Sequence, residues 1–136
     1  MIERLIIALI VLGLGIVLYQ LYTRYQLARI GKGRAVDPIL VGLNPDLPTI
    51  VYFTTPHCIS CKVQQQPALK RVRDTQEVQV IQIDATESPD VADRWGVMSA
   101  PTTFILDGTL TPRAVNHGVA NENKLRKQVN EAMQIA

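Results

Sequence analysis

The chain holds two cysteines, Cys58 and Cys61, with two residues between them. A thiol pair at that spacing can close into a disulfide, shuttle electrons as a dithiol, or give two ligands to a soft metal. Before the pair runs Thr49-Ile50-Val51-Tyr52-Phe53, and after it a stretch from Lys62 to Thr75. The first segment, short and rich in β-branched and aromatic residues, predicts a buried strand, and the second predicts a helix. The pair therefore belongs at a strand-to-helix junction, with Cys58 just ahead of the helix. Free N–H groups and the positive end of the helix dipole favour a thiolate there. The thiolate is the form that attacks disulfides. On this reading Cys58 is the nucleophile and Cys61, one turn into the helix, is the resolving thiol.

The neighbouring residues have plainer roles. Ser60 reads as a helix-start residue rather than a catalytic hydroxyl, and Lys62 as a solvated side chain adding mild positive potential. His57 with the two cysteines would supply three metal ligands. Structural zinc sites want four, commonly as two separated pairs, and His117 is the only other histidine. No metal and no cofactor beyond the dithiol is expected.

The elements that must position the pair follow in order. Val78–Ile83, ending at Asp84, predicts a second strand. Ser88-Pro89-Asp90 opens a short helix with proline in its first turn. Val91, Ala92 and Trp95 give it an apolar side, and Gly96 ends it. Thr102–Leu106 is a third strand. Asp107-Gly108 signals a hairpin, so a strand from about Arg113 to His117 returns antiparallel. Asn121 can cap a last helix, where Leu125, Val129 and Met133 recur on one face. A parallel βαβ unit followed by a hairpin implies an α/β domain with a mixed sheet and helices on both faces.

Upstream the composition changes. No charged residue occurs from Leu5 to Thr23, and Leu5–Leu18 is apolar throughout. About 20 apolar residues span a bilayer as a helix. Tyr19, Tyr22 and Tyr25 follow, where interfacial tyrosines are favoured. A cleaved signal peptide would carry a basic start, a shorter apolar region and a small-x-small site; here the start is Glu3-Arg4 and the tail Tyr19-Gln20-Leu21-Tyr22 offers no such site. We read residues 1–23 as a transmembrane anchor, 24–46 as a basic juxtamembrane linker and 47–136 as the folded domain. Ile39-Leu40-Val41 inside the linker is a candidate edge strand. Arg24, Arg29, Lys32 and Arg34 outnumber Arg4, which Glu3 partly offsets, so the positive-inside rule places the domain in the cytoplasm. The cluster suits anionic lipid headgroups. With a net charge of +2 gathered largely in that segment, the domain carries no nucleic-acid footprint.

Three pieces resemble the thioredoxin family: Phe53 followed by Cys58-Ile59-Ser60-Cys61-Lys62, then Trp95-Gly96-Val97-Met98-Ser99-Ala100-Pro101-Thr102, then Gly118 leading to the helix capped at Asn121. The resemblance covers roughly Leu47 to Met133. It implies a thioredoxin-like three-layer α/β fold behind one N-terminal transmembrane helix. It also implies a cis proline at Pro101, beside the cysteines, offering a backbone edge with Ala100 to substrate. His57 stands where the family has tryptophan. It either lowers the Cys58 pKa when protonated or forms part of the docking surface; we read it as the second. The family's buried acid is replaced by Tyr52 and its lysine partner by Val80, so the resolving cysteine lacks its usual proton relay. Pro67 lies one residue farther from the second cysteine than the family's helix proline. The family's first strand and helix are reduced to Ile39-Leu40-Val41 at most. The implied function is a membrane-anchored thiol–disulfide oxidoreductase acting on protein disulfides or dithiols through Cys58 and Cys61. The alternative is a docking or metal-handling module of a membrane complex with incidental redox activity.

Overall fold

Strand β1, Thr49–Thr54, is buried along its whole length, and its side chains alternate between two cores. Ile50 and Tyr52 point to one face of the sheet; Val51 and Phe53 point to the other. The computed structural model that shows this describes residues 1–31 and 37–135. Lys32 and Arg34 of the basic cluster, and Gly33, lie outside the described residues.

The element order is α1 (Ile2–Gly31), a 3-10 turn (Pro38–Leu40), β1, a π turn (Cys61–Gln65), α2 (Gln66–Thr75), β2 (Gln79–Asp84), α3 (Pro89–Arg94), β3 (Thr102–Leu106), β4 (Pro112–His117) and α4 (Glu122–Ile135). The sheet order is β2-β1-β3-β4, with β1 and β2 parallel and the other two pairings antiparallel. The expected mixed sheet is therefore present. Helices α2 and α4 cover one face through Ala68, Leu69, Val72, Leu125, Val129 and Ala132. On α4 the apolar stripe ends at Ala132, while Met133 is exposed. The one-residue difference follows from the 3.6-residue period, which carries an i, i+4 face back to i+7.

The other face holds Val51, Phe53, Phe104 and Leu106 under Val91, Ala92 and Trp95. Phe53, Trp95 and Phe104 meet with ring centroids 5.0–6.1 Å apart. Each such tilted or edge contact adds ~0.5–1.5 kcal/mol beyond the area it buries. Leu40 completes this core, with Leu27 and Ile39 packed against it.

Ile39-Leu40-Val41 forms no strand. Asp37 accepts the Ile39 N–H at 3.2 Å and Pro38 opens the turn, so the segment closes into a 3-10 turn. The same carboxylate accepts from Arg94 at 3.2 and 3.3 Å and from the Trp95 indole N–H at 2.9 Å. It thus ties this turn to the end of α3.

The β3–β4 hairpin is present, but its loop is longer than a two-residue turn. The Asp107 N–H donates to the Thr111 carbonyl. Its buried carboxylate accepts from Thr109 and Thr111 and pairs with Arg113 at 2.7 Å. Leu110 takes the positive φ of 62°. Gly108 is needed for another reason: a Cβ there would lie 2.8 Å from the Pro45 carbonyl oxygen.

Helix α1 is the only helix among the described residues long and apolar enough to cross a membrane. It runs without a break past Thr23, and its last turns lie beside β4. Gln26 is buried there, and Leu27 joins the second core.

Candidate redox site

The antiparallel register brings the site together. Phe53 pairs with Thr102, so the turn leaving β1 lies beside the segment entering β3. The first carries Cys58; the second carries Ala100 and Pro101, joined by a cis peptide bond. Cys58 and Ala100 both pack against the core cluster that contains Cys61. Pro101 is buried, and its carbonyl accepts the Gly118 N–H at 2.8 Å, which draws the start of the last loop to the same edge.

Cys58 and Cys61 form a disulfide with an S–S distance of 2.07 Å. Cys61 is fully buried, whereas Cys58 is partly exposed. A sulfur that meets large partners must be reachable, and its resolving partner need not be. The Cys61 N–H points at the Cys58 sulfur from 3.1 Å. The Ser60 hydroxyl lies 3.5 Å from the same sulfur. Both groups can stabilise negative charge on Sγ of Cys58 once the disulfide is opened. Ser60 thus sits in the helix start, as its type suggests, and also faces the sulfur. His57 and Lys62 are exposed around the pair.

The helix beginning at the site differs from a regular α-helix. Its first turn, Cys61–Gln65, is a π turn closed by the Gln66 N–H on the Cys61 carbonyl. A π turn holds one more residue than an α turn. It takes up the extra residue between the second cysteine and Pro67, which begins α2 near its first position.

Two buried polar residues in this region were not flagged by sequence. Gln65 exchanges two hydrogen bonds with the Ala120 backbone, at 2.9 and 3.1 Å, fixing the helix that follows the cysteines to the approach of α4. A glutamine in a polar-rich stretch, Gln64-Gln65-Gln66, carries no sign that its middle member is buried. Gln26 donates from Nε2 to the carbonyls of Trp95 and Gly96, at 3.2 and 2.9 Å. Its position after a long apolar run offered a weak hint.

Tyr52, which replaces the family's acid, is buried in the same cluster as Cys61. Burial pushes its phenol above the usual range, and among the described residues its hydroxyl has no hydrogen-bond partner. The side chain therefore stays neutral and cannot serve as a carboxylate base would. Asp84 pairs in register with Thr54, and its carboxylate accepts from Thr86. No group of three or more His, Cys, Asp or Glu gathers among the described residues.

Comparisons with known proteins agree with this geometry. The thioredoxin family model matches residues 42–131. Thioredoxin 1 of Nostoc sp. is 31% identical over 68 residues, covering 48% of this chain and 63% of that protein, just under two thirds of its length. Among solved structures, a mutant thioredoxin from Halobacterium salinarum superimposes with a TM-score of 0.60 at 18% identity, over 65% of this chain and 77% of that one. The thioredoxin of Trypanosoma brucei brucei gives 0.56 at 23% identity, over 67% and 79%.

Proposed function

Since this chain belongs to the thioredoxin family, we propose that it is a membrane-anchored thiol–disulfide oxidoreductase working on protein disulfides or dithiols. One observation carries the reading. A partly exposed Cys58 and a buried Cys61 form a disulfide at a strand-to-helix turn, beside Ala100 and Pro101.

In the reductive direction the Cys58 thiolate attacks one sulfur of a partner disulfide. That S–S bond breaks, and its other sulfur leaves as a thiolate and is protonated. A Cys58–partner disulfide remains. Cys61 loses its thiol proton and attacks Sγ of Cys58, releasing the second partner sulfur as a thiolate that is protonated in turn. The partner has gained two electrons and two protons. The chain is left as the Cys58–Cys61 disulfide, and a thiol reductant restores the dithiol. The reverse sequence oxidises a partner dithiol. With Tyr52 neutral and buried, the Cys61 proton goes to water or to the substrate. His57, Ala100 and Pro101 supply the contact surface.

Helix α1 is the anchor in this reading. Retention is supported by the unbroken course of α1 from the apolar run to Gln26 and Leu27, which pack into the domain. The excess of Arg and Lys after the span favours a cytoplasmic domain.

The cysteine roles are tested by trapping. Cys61→Ser is expected to accumulate mixed disulfides through Cys58, and Cys58→Ser to abolish turnover. Trapping only by the Cys58→Ser protein overturns the assignment. Partner binding that is unchanged when both cysteines are serine would instead support a docking module.

A further inference from the structure

The end of the apolar helix is bonded to the loop that enters the redox site. The Tyr22 hydroxyl lies 3.9 Å from Sδ of Met98. One turn later, Gln26 holds the carbonyls of Trp95 and Gly96. Gly96 has φ +67°, and a Cβ there would come within 2.8 Å of Nε2 of Gln26. Gly96 thus leaves room for the Gln26 side chain, and its positive φ is one that glycine takes readily. From Gly96 the chain reaches Ala100 and Pro101, beside Cys58, in a few residues.

The helix also sets a height. About 20 residues at 1.5 Å each cover the ~30 Å hydrocarbon core. A span begun at Leu5, the first residue of the uncharged run, leaves the core near Arg24, so Tyr22 falls at its edge, where the headgroup level that tyrosines favour begins. Met98, in contact with Tyr22, lies at the same level. The side chains around the site suit that place. Met98 is 87% exposed, Ile59 77% and Val63 65%, all apolar and uncovered.

We propose that α1 and the loop it clamps hold the Cys58 face at the lipid–water boundary, and that its substrate is a cysteine pair of an integral membrane protein lying at that boundary. The proposal rests on the oxidoreductase reading above and names its substrate class.

The test uses the full chain in lipid nanodiscs with a thiol reductant. Three substrates are compared: insulin, a single-span peptide with a disulfide loop directly outside its apolar segment, and the same peptide with that loop about two dozen residues farther out. A variant receives a seven-residue helical insertion between Leu21 and Tyr22. It lifts the clamp by about 10 Å and nearly preserves its rotation. The native chain is expected to reduce the boundary loop at least tenfold faster than the displaced loop. The insertion should cut the boundary rate at least tenfold and leave the insulin rate within twofold. Equal boundary rates in both forms, or native preference for the displaced loop, overturn the proposal. Absence of turnover of all three substrates by the native chain overturns the oxidoreductase reading itself. A second measurement does not need activity. Trp95 is the only tryptophan, and headgroup nitroxide lipids should quench it in the native chain and less in the insertion variant. An unquenched native Trp95 also overturns the proposal.

Discussion

Asp37 shows how one side chain can join segments that the sequence keeps apart. Its burial would raise the carboxyl pKa, but hydrogen bonds from Arg94, the Ile39 N–H and the Trp95 indole outweigh that and hold it below the ordinary carboxylate value. A folded-state pKa lowered in this way adds stability that is complete above the unfolded value near 4 and disappears as pH falls through the folded value. Asp37→Asn is therefore expected to cost ~1–2 kcal/mol at pH 7. The gap between the variants should close progressively below about pH 4. Urea midpoints measured across pH 2–7 check this; a gap independent of pH would show that the charge contributes nothing. Residues of this kind were hard to read in advance. Cys58 and Cys61 declare themselves because their spacing is itself chemistry. Asp37, Gln26 and Gln65 look like ordinary polar positions, since their partners are set only when distant segments meet. Tyr52 was visible as a substitution, but its buried and unpartnered hydroxyl was not.

The strands were the most legible elements. The residue pattern gives Thr102–Leu106 to the residue and the other three strands to within one residue at their ends, because runs of β-branched and aromatic residues bounded by turn formers leave few alternatives. The errors fall where local hydrogen bonding outweighs side-chain type. Asp37 and Pro38 turn an apolar triplet into a 3-10 turn. Asp107 draws its hairpin into a longer loop, with Arg113 bulged as Ile105 pairs with Ala114 and Leu106 with Pro112. The π turn at Cys61–Gln65 has no compositional signal; only the late placement of Pro67 hinted at it. A π turn behaves as a one-residue insertion that leaves both flanks in register. Deleting exposed Gln64 should therefore restore an α turn, with stability changed by no more than ~1 kcal/mol. Deleting Lys70 in the regular part of α2 rotates all later residues by ~100° and should unfold the domain. Thermal melts of the two variants check the contrast. Similar loss in both would mean that the π turn is required rather than accommodated.

At the scale of the whole molecule, the apolar helix α1 and the folded domain are joined, since the end of α1 packs into the domain through Gln26 and Leu27. The sequence shows an apolar segment and a folded segment with a basic stretch between them. A helix that continues past the apolar run and stops at Gly31 can be read from it, and α1 does end there, but its entry into the core at Gln26 and Leu27 cannot. That contact depends on a tertiary fit to Gly96 which no periodicity encodes. The cytoplasmic placement proposed above is open to direct test. A thiol reagent that cannot cross the membrane, applied to intact cells after mild reduction, should label Cys58 only after lysis. Labelling without lysis would put the domain on the outer side. Either orientation has the same kinetic consequence. A flexible connector of about two dozen residues would let a domain wander ~25 Å from its anchor. A docked helix allows no such excursion. On the anchoring proposed above, the Cys58 sulfur would sweep a thin slab parallel to the bilayer, so its effective concentration would rise for anything in that slab and fall for anything outside it. Reach is exchanged for encounter frequency, and the rate of exchange should follow the number of copies per unit area of membrane rather than per volume of cell.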